Sequence, residues 1–113
     1  MGESRAYECI PGSAAAELLR SEPQATLFDV RDIKSYQAGH IDGAAQLSED
    51  RLLAWTKRIP KDAPIVIYCY HGNASKTYAQ MFVDFSYSRV FSVDGGYPAL
   101  ETAMTAPACD FGS

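Results

Sequence analysis

One cysteine in this chain stands where a reactive thiolate can be made. Cys69 follows the apolar run Ile65-Val66-Ile67-Tyr68 and precedes Tyr70-His71-Gly72-Asn73-Ala74-Ser75, after which an amphipathic helical pattern begins. The sulfur therefore sits where a buried strand ends and a helix opens, the edge at which open α/β sheets bind ligands. A helix amino end leaves its first amides unpaired and carries partial positive charge. Those amides can stabilise a thiolate and hold an incoming anion. A favourable helix end contributes up to about 2 kcal/mol, enough to raise the thiolate fraction near neutral pH. Gly72 lets the backbone turn close around the sulfur. His71 and Lys76 are the candidates for added positive charge, and no acidic residue occurs from Ile65 to Val83. The competing reading makes Cys69 a small apolar residue that merely ends a buried strand. Its coincidence with a glycine-containing loop, a helix start and an acid-free neighbourhood favours a nucleophile.

The remaining reactive side chains have quieter readings. Three cysteines (Cys9, Cys69 and Cys109) are widely separated, without a Cys-x-x-Cys pair, so neither a disulfide scaffold nor a structural zinc site is expected. Cys9 reads as a packed core thiol, and Cys109 lies in a tail rich in small residues. Asp29, Arg31 and Asp32 read as a structural charge network at a strand end, and His40, after Gly39, as a hydrogen-bonding turn residue. Trp55, Tyr78 and Met81 read as packing.

The elements that must position Cys69 alternate between short β-rich runs and helical runs, which predicts a parallel sheet of about five strands with helices on both faces. Strands are expected over 6–10, 26–30, 44–47, 65–68 and 89–93. A helix capped by Ser13 should run to Arg20, and a short one from Asp32 to Ala38 should stop at Gly39. Ser48 should cap a third, with Glu49 and Asp50 in its first turn and Lys57 and Arg58 in its last. Tyr78, Met81, Phe82 and Phe85 at i, i+3, i+4, i+7 predict an amphipathic helix after Ser75. Asp94-Gly95-Gly96 reads as a turn, and Pro98 suits the first turn of a last helix. The chain reads as one domain over 1–113, with a core at about 6–104 and a loose tail over 105–113.

Composition narrows the setting. The chain has 113 residues, a net charge of −4 and a pI near 5.0, which disfavours a nucleic-acid partner. Its longest uninterrupted apolar run, Ile65 to Tyr70, is too short to span a bilayer. No basic flank with an apolar run comes after Met1, so a cytoplasmic address is expected.

Three segments together resemble the rhodanese family. Phe28-Asp29-Val30-Arg31-Asp32, with Gly39-His40-Ile41-Asp42-Gly43-Ala44, is similar to its amino-terminal signature. Cys69 to Ser75 resembles its active-site loop, and Val90-Phe91-Ser92-Val93-Asp94-Gly95-Gly96 its closing strand and turn. The resemblance runs from about Cys9 to Leu100, and the Cys-Tyr-His-Gly-Asn loop looks most like the GlpE-type thiosulfate sulfurtransferases. It implies a three-layer rhodanese-like fold and a two-step transfer of sulfane sulfur. Thiosulfate would load a Cys69 persulfide, and cyanide, a small thiol or a protein thiol would unload it. Tyr70, His71, Gly72, Asn73, Ala74, Ser75 and Lys76 would line the substrate site, and no metal or organic cofactor is implied.

Two other functions are open to the fold. A Cys-dependent phosphatase or arsenate reductase needs an Arg six residues after its Cys, and this chain has Ser75 there. A non-catalytic interaction module is the other alternative; retention of Cys69 in an intact loop argues against it.

Overall fold

The computed structural model describes residues 7–105, arranged as five strands and five helices in strict alternation. They are β1 (Glu8–Ile10), α1 (Gly12–Ser21), β2 (Thr26–Asp29), α2 (Ile33–Ala38), β3 (Ala45–Gln46), α3 (Glu49–Thr56), β4 (Ile65–Tyr68), α4 (Ala74–Asp84), β5 (Val90–Val93) and α5 (Gly96–Thr105). The five strands form one sheet in the order β1-β5-β4-β2-β3, and every pairing is parallel. The expected five-stranded parallel sheet is what the chain forms. Ala6, the anticipated start of the first strand, and 106–113, with Cys109, lie outside the described residues.

Period-two alternation divides each strand between two cores. Leu27, Val66, Tyr68 and Val93 face a cluster with Ala15 and Ala16 of α1 and Leu100 of α5. Phe28, Ile65, Ile67 and Val90 face the opposite cluster, with Leu52 of α3 and Ala79 and Phe82 of α4. The sheet is thus covered on both sides, and all four residues of β4 are fully buried. Such side chains contribute about 1.5–3 kcal/mol each for the larger apolar types, which makes β4 a rigid frame for the loop at its carboxyl end. Trp55 packs edge-on against Phe28, 5.0 Å between ring centroids, as its packing role requires.

Several local expectations shift. Helix α1 begins two residues early: Pro11 is its cap in place of Ser13, and its carbonyl accepts from the Ala15 amide at 3.0 Å, leaving Ser13 exposed inside the first turn. Close packing selects this start, because a Cβ on Gly12 would lie 2.5 Å from the Ala99 carbonyl oxygen of α5. Ser48 does precede α3, but its hydroxyl donates to the Asp50 carboxylate at 2.6 Å and caps no amide. That helix ends at Thr56, so Lys57 and Arg58 fall beyond its last turn, and the Arg58 guanidinium lies over the Trp55 ring. Cys9 is exposed, not packed, because β1 is a three-residue edge strand with a partner on one side only. Phe85, at the end of α4, is also more than one-third exposed.

The charge network at the end of β2 is real but smaller than anticipated. Arg31 forks onto Asp29, with Nη2 2.8 Å from Oδ2 and Nε 3.1 Å from the same oxygen, and both residues are buried. The guanidinium also donates to the Gly39 carbonyl and lies 4.1 Å from the Tyr97 ring centroid. Asp32 stands outside this pair; it caps α2 by accepting from the Ser35 amide. His40 stacks on Tyr36 and shares a 2.8 Å hydrogen bond with its carbonyl, a structural role. Removing one member of a buried ion pair strands the other charge, which costs about 3–5 kcal/mol. Asp29→Ala should therefore lower unfolding free energy in urea by about that amount, and Asp29→Ala with Arg31→Met should recover part of the loss.

Candidate active site

The sheet order places Cys69 at a divergence. From β2 the chain moves outward to β3, and from β4 it moves the opposite way to β5. Connections leaving β2 and β4 therefore part at their carboxyl ends, where a crevice forms in sheets of this type. Cys69 is the first residue beyond β4, and Asp29 and Arg31 stand at the end of β2 beside it.

The loop wraps its own sulfur. Cys69 is buried, and the Gly72 amide donates to Sγ at 3.1 Å. Gly72 holds a φ of 104°, a left-handed conformation that turns the amide inward. The chain then enters α4 at Ala74, two residues earlier than anticipated, through a helical Asn73. This start aims the first turn at the sulfur: the Ser75 hydroxyl lies 3.5 Å from Sγ and is itself buried. Burial pushes the Cys69 thiol up. The Ser75 hydroxyl and the amides of Ser75, Gly72 and His71 outweigh that burial and bring it below its ordinary value. Hydrogen bonding to the charged form thus defeats desolvation.

The other loop residues separate into distinct roles. Tyr70 is exposed and reaches across to α2, where its hydroxyl bonds the Asp32 carboxylate and lies 2.7 Å from the Ser35 hydroxyl. His71 is exposed on the loop, and its backbone amide, not its ring, is what bears on the sulfur. Asn73 accepts the Lys76 amide at its carbonyl, and Ala74 opens the helix with an exposed side chain. Lys76 lines a groove with Tyr7, Thr77, Gln80 and Met81. Neither the His71 ring nor the Lys76 ammonium hydrogen-bonds to the sulfur, and the leading contributions that lower the thiol are a hydroxyl and amides. Dipoles held at contact distance act strongly on a buried atom.

Two features of the site escape a reading of the loop alone. Ser92 of β5 is fully buried, and its hydroxyl lies 2.7 Å from that of Ser75. The available signal is a polar residue two positions from Val90, on the face of β5 turned to the α4 core. The second is the turn from β5 to α5. Its Tyr97 amide donates to the Cys69 carbonyl at 2.7 Å. Gly96 has a φ of 66°, and a Cβ there would lie 2.5 Å from the Cys69 carbonyl oxygen and against the Tyr70 carbonyl. Among the described residues no group of His, Cys, Asp and Glu is gathered to hold a metal ion, and no helix is long and apolar enough to cross a membrane.

Known proteins resemble this chain in sequence and in fold. The rhodanese-like domain family matches residues 12–103. Thiosulfate sulfurtransferase GlpE from Tolumonas auensis is 41% identical over 83 residues, covering 74% of this chain and 77% of that protein. A solution structure of a rhodanese-like domain from Anabaena superposes with a TM-score of 0.70 at 22% identity, covering 97% of this chain and 92% of that one. The reduced CoADR-RHD protein of Bacillus anthracis superposes with a TM-score of 0.71 at 24% identity over 87% of this chain, which spans only 17% of that longer chain.

The backing turn yields a direct test. Gly96→Ala must displace backbone, since the blocking atoms are carbonyl oxygens with no freedom to rotate away. Alkylation of Cys69 by iodoacetamide at pH 7, monitored on its own tryptic peptide, should slow at least about tenfold, the effect of losing roughly 1.4 kcal/mol of thiolate stabilisation.

Proposed function

The chain belongs to the rhodanese-like domain family, and on that footing we propose that it is a thiosulfate sulfurtransferase with Cys69 as its nucleophile. The observation that carries the reading is the sulfur's enclosure by hydrogen-bonding groups, with the Gly72 amide donating to it at 3.1 Å and the Ser75 hydroxyl 3.5 Å away, a partner to which the ionised sulfur turns acceptor. A thiolate held this way attacks the outer sulfur of thiosulfate. The bond between the two thiosulfate sulfurs breaks, its electron pair leaves with sulfite, and Cys69 keeps the transferred atom as a persulfide anion. Total charge is unchanged, so no proton need move in this step. An acceptor then attacks the terminal sulfur and the Cys69 thiolate is restored; cyanide leaves as thiocyanate, and a small or protein thiol leaves as a persulfide. Two half-reactions sharing one enzyme intermediate give ping-pong kinetics.

Each loop residue has a place in this scheme. The amides of His71, Gly72 and Ser75 would stabilise the growing charge, which moves outward by one sulfur when the persulfide forms. Tyr70, anchored on Asp32, fixes the outer edge of the loop. Lys76 supplies the positive charge that meets the anionic donor as it approaches, and the exposed His71 lines its path. The chemistry resides on sulfur and draws on no metal or organic cofactor.

Ser75 bears on the phosphatase alternative. A phosphoryl dianion needs a forked guanidinium at this point of the loop. Here a buried hydroxyl fills the position and bonds Ser92 behind it, and no guanidinium is supplied.

Thiosulfate without an acceptor should add one sulfur atom to the intact protein, on the Cys69 peptide, and cyanide should remove it. Mass spectrometry before and after cyanide reads both events. An unmodified Cys69, or an adduct on Cys9 or Cys109, would refute the assignment. Cys69→Ser should abolish transfer to cyanide while leaving thermal unfolding within a few degrees, since the substitution changes one buried atom.

A further inference from the structure

Three buried atoms on three elements form a chain: Cys69 Sγ after β4, Ser75 Oγ in the first turn of α4 and Ser92 Oγ in β5. The links are 3.5 and 2.7 Å, both serines have no solvent exposure, and Cys69 has 2%. We propose that Ser92 is a positioning residue for the nucleophile, holding the Ser75 hydroxyl so that its proton points at the sulfur and favours the thiolate. The inference rests on the reading of Cys69 as the nucleophile.

Counting protons carries the argument. Each hydroxyl has one proton to donate and two lone pairs to accept with. With Cys69 ionised, the chain holds two protons and two links. Ser92 donates to Ser75, Ser75 donates to the sulfur, and every proton is used. With Cys69 protonated, the same two links must accommodate three protons. One is left over, and among the described residues the Ser92 hydroxyl has no hydrogen-bond partner except Ser75. A buried donor without an acceptor is unfavourable, so the array suits the anion better than the thiol. Without Ser92, the Ser75 hydroxyl loses the donor that orients it and can turn away from Sγ. Ser92 thus acts on the sulfur through Ser75 and touches no substrate.

The charged and titratable groups on the surrounding elements are accounted for otherwise. Asp29 and Arg31 at the end of β2 pair with each other, and Tyr68 of β4 accepts from the Ile41 amide. His71 in the loop, Lys76 in α4, Asp94 between β5 and α5, and Tyr97 in the first turn of α5 complete the set. None of these side chains hydrogen-bonds to Sγ, and none is altered by changing Ser92.

The test is the pH dependence of Cys69 alkylation by iodoacetamide, read on the Cys69 peptide so that Cys9 and Cys109 do not contribute. This readout needs no sulfur donor, so it stands whether or not thiosulfate proves to be the substrate. Ser75→Ala should raise the midpoint by about one unit, as expected for loss of a hydrogen bond to a charged group. Ser92→Ala should raise it by at least about half a unit, and should add nothing measurable in the Ser75→Ala background. An unchanged midpoint in folded Ser92→Ala overturns the proposal, as does an equal shift with and without Ser75. A purely structural Ser92 would lower the melting temperature and leave the midpoint in place. If Ser92→Ala fails to fold, Ser92→Cys, which keeps a weak donor of similar shape, should show a raised midpoint; a native midpoint there, or failure of both variants to fold, overturns the positioning role.

Discussion

The hydrogen bond from the Tyr97 amide to the Cys69 carbonyl joins the two strand ends on which this site is built. A loop that must present several amides to one atom cannot also satisfy its own backbone internally, so it needs an outside scaffold. The β5–α5 turn supplies it. Gly96 in a left-handed conformation lets that turn lie directly against the Cys69 and Tyr70 carbonyls. With its carbonyls held from behind, the loop's amides are free to face the sulfur. The cost is a backbone contact that tolerates no added atom.

That closure sets the electrostatics. Cys69 is buried enough to raise its thiol, yet a hydroxyl and three amides at close range reverse the sign of the shift. The protein's net charge is negative, yet the Cys69 thiol lies below its ordinary value. Fixed dipoles decide the matter because they act within one contact distance, whereas the dispersed surface carboxylates are screened over roughly 8–10 Å in ordinary salt. Dipoles fixed in this way are already oriented toward the sulfur, so stabilising its negative charge costs no rearrangement.

The supports of the loop are distributed over both halves of the sheet. Tyr70 ties it to the amino end of α2 through Asp32, and Arg31 beneath stacks on Tyr97 while gripping Asp29. Ser75 reaches back to β5 through Ser92. Each tie crosses between elements distant in sequence, so the geometry of the sulfur depends on the whole sheet being assembled. A substitution in β5 or at the end of β2 therefore reaches Cys69 without touching the loop.

Periodicity and loop chemistry make the alternating elements, the parallel sheet and Cys69 legible in the chain itself. The β-branched run Ile65-Val66-Ile67-Tyr68 reads as a buried strand of such a fold, and the glycine-containing loop before an amphipathic helix singles out Cys69 as the candidate nucleophile. Those features are local, and local sequence encodes them. The start of α1 at Gly12 and the exposure of Cys9 are set by neighbours far along the chain, an Ala99 carbonyl and the absence of a strand beyond β1 among the described residues. The same holds at the site. Spacing placed His71 and Lys76 near Cys69, but spacing carries no direction, and the folded loop turns amides and Ser75 toward the sulfur instead. Ser92 and Tyr97 reach Cys69 only because the parallel register sets β5 beside β4, a juxtaposition that no local pattern specifies and that packing of both sheet faces alone decides.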